Sequence, residues 1–167
     1  MASKHDFHKV IIGRSELLSF VDGTAAVNVP AKTDTGAYRS AVHASNIAVG
    51  DDGILRFDLL GGHPVCGAMV HRIAAEEYTK VWVANSSGHR EERYEVKLRV
   101  KLGPKVFHAR FTLADRSKKI YPILLGRKLL NHRFLVDSSK TSLDRILLKE
   151  QYNIDFPRDE EEGRDLV

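Results

Sequence analysis

Asp34-Thr35-Gly36-Ala37 sets one carboxylate inside a short polar turn, directly after the strand-like stretch Ala25 to Lys32. An acid so placed has two readings. It can close a strand by hydrogen-bonding its own backbone, with Gly36 taking an unusual dihedral. It can also be half of a catalytic site, if a second acid faces it. The tripeptide alone does not choose, since one of this kind turns up in roughly one chain in thirty of this length.

Other residue types that can do chemistry are present. Cys66 is the single cysteine, which excludes an internal disulfide and zinc sites built on several cysteines. It reads as a small buried residue; as a nucleophile it has only His63 and His71 close in sequence. His43 lies nine residues after Asp34 and suits either substrate binding or a structural hydrogen bond. His89-Arg90-Glu91-Glu92 is not the His-Glu-x-x-His zinc pattern, and no Gly-x-x-x-x-Gly-Lys-Ser/Thr phosphate loop occurs. No cofactor and no metal ligand is expected. A catalytic zinc needs only three protein ligands, so scattered histidines leave a metal-dependent hydrolase open as a third reading.

The elements that would hold these residues are mainly strands. Val10 to Ile12, Leu17 to Val21, Ile54 to Leu59, Val65 to Ile73, Val81 to Val83 and Val106 to Leu113 all read as strands. From Tyr94 to Leu102 the pattern is clearest: Val96, Leu98, Val100 and Leu102 alternate with Lys97, Arg99 and Lys101. That period puts one face in a core and the other in water. Ile123-Leu124-Leu125-Gly126 reads as a buried strand feeding a short helix through Arg127 to Leu130. A second helix is expected over Ser142 to Tyr152, with Ser142 as cap. The fold class is mainly β.

Size and charge bound the rest. The chain has 167 residues, 43% apolar and 29% charged, enough for one domain with its own core. No apolar run spans a bilayer, and the start MASKHDFHKV lacks a signal-peptide core. A cytoplasmic location is expected. Residues 155–167 hold six acids against two bases, a charge of −4, which leaves +8 on residues 1–154. The bases form no dense block or basic helix, so neither a nucleic acid nor a membrane is expected as partner. The expected organisation is a mobile segment 1–8, one domain 9–154 and an acidic disordered tail 155–167. Asp159-Glu160-Glu161-Glu162 also raises the idea that the tail enters an active cleft.

The order of the segments adds information. Asp34-Thr35-Gly36-Ala37 comes first, about ninety residues of largely β pattern follow, and Leu124-Leu125-Gly126-Arg127-Lys128-Leu129-Leu130 comes last. In this the chain resembles the retropepsin-like aspartic peptidases. It is most similar to a bacterial branch often labelled "ATP-dependent zinc protease". That branch shares Ala31 to Ala37, Ser40 to Ala44, Ser87 to Tyr94, Thr112 to Arg116 and Leu124 to Arg127. The branch is linked with an ATP-grasp ligase that adds glutamates to a ribosomal protein. The resemblance implies a closed β-barrel of the acid-protease type with one or two short helices, and hydrolysis of acidic, glutamate-rich tails.

An aspartic mechanism needs two carboxylates that share a proton, one as base toward water and one as acid toward the scissile carbonyl. This chain has one Asp-Thr-Gly, so the second acid must come from a second copy. A two-fold homodimer with Asp34 at its axis is expected. The resemblance further implies that Thr35 ties the two loops together, that Gly36 lets backbone approach the carboxylate, and that Leu124-Leu125-Gly126 packs behind. It also implies a flap around Ser87, Gly88 and His89. Arg39, His89, Arg90, Arg93 and Arg127 are the candidates for holding substrate carboxylates, since an arginine fork matches a carboxylate. For Arg127 the resemblance favours a structural role, and Arg90 and Arg93 have Glu91, Glu92 and Glu95 as alternative partners. Arg39 departs from the branch: Tyr38 stands where arginine commonly follows Asp-Thr-Gly-Ala. The alternative to an enzyme is a noncatalytic peptide-binding domain of the same fold.

Overall fold

The computed structural model describes residues 9–21, 26–67, 71–84, 87–143 and 150–152. Eleven strands and one helix are set along them. They are β1 (Val10–Ile12), β2 (Ser15–Phe20), β3 (Val29–Thr33), β4 (Ser40–Val49), β5 (Leu55–Leu59), β6 (His71–Ala75), β7 (Tyr78–Ala84), β8 (Arg90–Leu102), β9 (Lys105–Ala114), β10 (Ile123–Leu125), α1 (Arg127–Leu130) and β11 (Phe134–Val136). The fold is mainly β, as its sequence pattern indicates.

Six strands close on themselves. The ladder runs β10, β3, β2, β8, β9, β4, and β10 pairs back onto β4. Closure leaves those strands no open edge. The hairpin β5–β6 extends the sheet beyond β4, and β7 pairs with β8 off this path. β1 and β11 form a separate parallel pair.

The alternation on β8 reads out as expected: Val96, Val100 and Leu102 are buried while Lys97, Arg99 and Lys101 are exposed. They meet Leu18, Val29, Val42, Phe111, Ile123 and Leu125 in one core. Phe20 meets Phe111 edge-on at 5.9 Å between centroids. Burying one such large side chain stabilises by about 1.5–3 kcal/mol, so the barrel interior is the main source of stability.

Three local differences from the sequence reading have physical causes. Val65 does not begin a strand. Pro64–Cys66 is a 3-10 turn, because Pro64 suits a first helical position and the His63 ring accepts the Val65 N–H. The chain leaves it through Gly67 at φ 55°, and the strand starts only at His71. β4 and β11 carry too little alternation to read as strands. β4 is buried on both faces from Ser40 to Ala44 and breaks register between Ser45 and Ala48, with Asn46 at φ 50°. The short helix after Gly126 is present; the second expected helix falls largely outside the described residues, as do the segments 1–8 and 155–167. Among the described residues no helix is long and apolar enough to cross a membrane.

Candidate active site

β3 delivers Asp34 to the rim of the barrel. The Asp34 N–H donates to the Leu125 carbonyl at 2.9 Å, extending the parallel β3–β10 ladder by one residue. The chain then turns sharply. Asp34 Oδ1 accepts the Gly36 N–H at 2.9 Å and the Ala37 N–H at 3.2 Å. So the turn reading is correct in its local geometry: the carboxylate organises its own loop. One oxygen has that task, and Asp34 remains half-exposed at a rim where Thr35 and Gly36 are exposed. Both readings of the tripeptide are therefore compatible in one structure.

The second segment supports the loop from beneath. Gly126 lies against it so closely that a Cβ there would sit 2.5 Å from the Arg39 carbonyl oxygen. The Gly126 N–H donates to Ser40 Oγ at 2.9 Å, Arg127 N–H to the Ala37 carbonyl at 2.8 Å, and Lys128 N–H to the Tyr38 carbonyl at 2.9 Å. The Arg127 guanidinium donates to the Thr35 and Gly36 carbonyls at 3.1 and 2.9 Å. These bonds hold the two carbonyls of the turn, so Arg127 fixes the loop. Thr33 Oγ1 adds a bond to the Gly13 carbonyl at 2.8 Å from the other side.

The remaining cations fall into different places. Arg39 folds onto Glu95 of β8, 2.5 Å from Nη1 to Oε2, and its guanidinium lies 5.7 Å from the Tyr38 ring. Tyr38 is exposed between that group and the Arg127 guanidinium at 5.9 Å. β7 and β8 form a hairpin closed at Ala84 and Arg90, with Ser87, Gly88 and His89 in its connection. Gly88 adopts φ 82°, a dihedral that favours glycine. Strand alternation places Glu91, Arg93 and Glu95 on one face of this hairpin and Arg90, Glu92 and Tyr94 on the other. The Glu95 face is the one that meets the Asp34 loop. Arg93 is thus the hairpin cation on the loop side, paired with Glu91. Arg90 lies on the opposite face.

A hollow of about 520 Å³ borders this hairpin, with Arg93, Glu91, Glu92, Asn46, Asp115 and Ser117 among its lining residues. His43 also borders it but is 3% exposed and fully engaged. Its Nε2 donates to the Gly61 carbonyl and its Nδ1 accepts the Arg116 N–H, both at 2.9 Å. The His63 ring stands edge-on to it at 5.1 Å and bonds the Lys119 carbonyl. Burial, with the adjacent His43 ring second, pushes His63 down from its ordinary 6.5 to about 4. The two histidines staple the 115–121 segment to the barrel. Burial pushes the Cys66 thiol up to about 12, which makes it a poor nucleophile. Among the described residues no three His, Cys, Asp or Glu side chains converge as a metal site requires.

Glu95 and Ser40 were not legible as parts of the site. Glu95 is one charge in an alternating strand, and its burial becomes visible only when Arg39 and Lys128 are seen to close over it.

This geometry has relatives. A profile described as "Retropepsin-like aspartic endopeptidase RimB" matches residues 11–145. A protein of Desulfotalea psychrophila named "Probable alpha-L-glutamate ligase" is 32% identical over 162 residues, covering 87% of this chain and 34% of its own length. One of the same name from Shewanella pealeana is 30% identical over 143 residues, covering 80% and 30%. The chain therefore spans about a third of the curated relatives it matches. A crystal structure of a Legionella pneumophila protein of unknown function superposes with a TM-score of 0.63 at 30% identity, over 79% of this chain and 95% of that one. With the profile covering the barrel from β1 past β11, the chain belongs to the RimB-like family of retropepsin-like aspartic endopeptidases.

Proposed function

We propose that this protein is an aspartic endopeptidase that works as a homodimer, with Asp34 of each copy forming one dyad, and that it cuts acidic, glutamate-rich tails. The observation behind it is the Asp34 turn itself, held at the barrel rim by Leu125, Gly126 and Arg127 with one carboxylate oxygen outside its hydrogen bonds to Gly36 and Ala37. In the dyad, one Asp34 takes a proton from water as its oxygen attacks the scissile carbonyl carbon. The other, protonated, gives its proton to the carbonyl oxygen. The tetrahedral intermediate then collapses, the C–N bond breaks, and the leaving amine takes up a proton.

Substrate class rests on two supports. The relatives named as glutamate ligases carry a stretch like this chain within a longer protein, which fits an enzyme acting on the polymer such a ligase would make. Arg93 is the loop-side cation of the hairpin, and a substrate carboxylate would replace Glu91 upon it. Arg39 and Arg127 serve the frame instead.

A second reading, a noncatalytic peptide-binding domain, is favoured by one feature: Glu91, Glu92 and Asp115 outnumber Arg93 around the hollow, which suits a ligand that is not polyacidic. Incubating the purified protein with a glutamate-tailed peptide and an untailed control, followed by mass spectrometry, tests the proposal. Shortening of the tailed peptide alone is expected. Binding without cleavage at any pH would replace the enzyme by the binding module.

A further inference from the structure

β8 changes partners along its length. Arg90 to Tyr94 pair only with β7, whereas pairing with β9 begins at Glu95, opposite Thr112, and runs to Leu102. Among the described residues β7 itself pairs with β8 alone. Glu95 is thus the point at which the hairpin leaves the closed barrel. It is also the buried carboxylate of that hairpin, 3% exposed. Such a group is costly unless paired and hydrogen-bonded. Its partners come from the two segments that frame Asp34. Arg39, next to the first residue of β4, reaches Oε2 at 2.5 Å, and Lys128 of α1 stands 3.7 Å from Oε1. Lys128 follows Arg127, which holds the Thr35 and Gly36 carbonyls.

We propose that Glu95 is a positioning residue: a latch at the root of the hairpin that fixes its angle over the Asp34 loop through Arg39 and Lys128. The assignment of a catalytic consequence rests on the peptidase reading above; the latch itself does not. Among the described residues the hairpin has no strand partner beyond Glu95, so its direction depends on what holds its root. A carboxylate gripped from the residue preceding β4 and from α1 couples the hairpin to the same two segments that shape the turn. Movement of the hairpin and distortion of the turn are then one event, not two.

Hydrogen exchange read by mass spectrometry tests this on the full chain, using Glu95→Gln, Arg39→Gln and the double variant. Gln keeps the shape of Glu95 and removes its charge. Amides of 78–84 and 90–94 are expected to exchange at least about tenfold faster in each single variant, with those of β2, β3 and β9 unchanged. The double variant is expected to exchange no faster than Arg39→Gln, because Arg39→Gln strips the buried Glu95 carboxylate of its nearest partner and Glu95→Gln then removes that charge. In a turnover assay kcat is expected to fall with the pH profile unshifted, since Asp34 is untouched. Unchanged hairpin exchange, or acceleration spread evenly over the barrel, would overturn the latch. Faster hairpin exchange in a protein with no turnover in any form would keep the latch and reject the peptidase reading.

Discussion

Gly126 and Arg39 meet backbone to backbone: a Cβ at position 126 would fall 2.5 Å from the Arg39 carbonyl oxygen and 2.9 Å from that of Tyr38. Neither obstacle is a flexible side chain. Gly126 has φ −90°, an ordinary dihedral, so it is required by space and not by torsion. Gly126→Ala must push α1 away from the Asp34 loop. A loss of about 1–3 kcal/mol is expected, as for an overpacked site. Urea denaturation reads it as a lower midpoint with an unchanged slope.

Arg127 acts on the same loop by hydrogen bonds. It is exposed, so Arg127→Ala should change the melting temperature little while freeing the Thr35 and Gly36 carbonyls. Misplacing a catalytic group by about 1 Å can cost on the order of a hundredfold in rate. A fall of that size in kcat/KM, with a nearly unchanged melt, is the expected result. Both bonds leave the single Nη1, so Arg127→Lys, whose ammonium also carries several donors on a different stem, should restore part of it.

Stability should depend on pH through His63. Its folded value of about 4 lies below its unfolded value near 6.5. Between those limits the unfolded chain binds a proton that the folded chain refuses, so stability falls as pH drops from about 6.5 to about 4 and this contribution levels off below. Above 6.5 it contributes no slope. The full effect is on the order of 3 kcal/mol. Melts of the wild type and of His63→Gln at pH 7 and pH 4.5 should differ in their pH dependence, with the variant flatter across this window.

Cys66 is 6% exposed, and its thiol is held protonated by burial. Iodoacetamide at neutral pH should leave the folded protein unlabelled and label it fully in denaturant. Cys66→Ala should retain turnover. Loss of activity on alkylation of the native protein would bring a cysteine mechanism back.

What could be read from the sequence follows from how local each signal is. The β8 alternation and the Asp34 turn are set by neighbours within a few residues, and both appear as expected. Leu124-Leu125-Gly126-Arg127 reads as a strand entering a helix for the same reason. β4 escaped because burial on both faces erases the period of two, and its alanines and His43 carry no strong strand preference. Arg39, Arg93 and Arg127 all stand in the sequence as candidates for holding substrate carboxylates, with a structural role favoured for Arg127 by the resemblance and glutamate partners open for Arg93. The tertiary arrangement gives Arg39 and Arg127 partners far along the chain, Glu95 for Arg39 and the Thr35 and Gly36 carbonyls for Arg127, while Arg93 keeps its near neighbour Glu91. A linear sequence does not state those distances.

Subunit mixing tests directly whether one site needs Asp34 from two chains. Wild-type protein is combined with equal Asp34→Asn protein under conditions that allow exchange, and cleavage of the glutamate-tailed peptide is measured. If both carboxylates are required, only wild-type pairs act, and activity per total chain falls to about a quarter of the undiluted value. Activity of about one half, linear in the wild-type fraction, would mean that each chain works alone and would contradict the shared dyad.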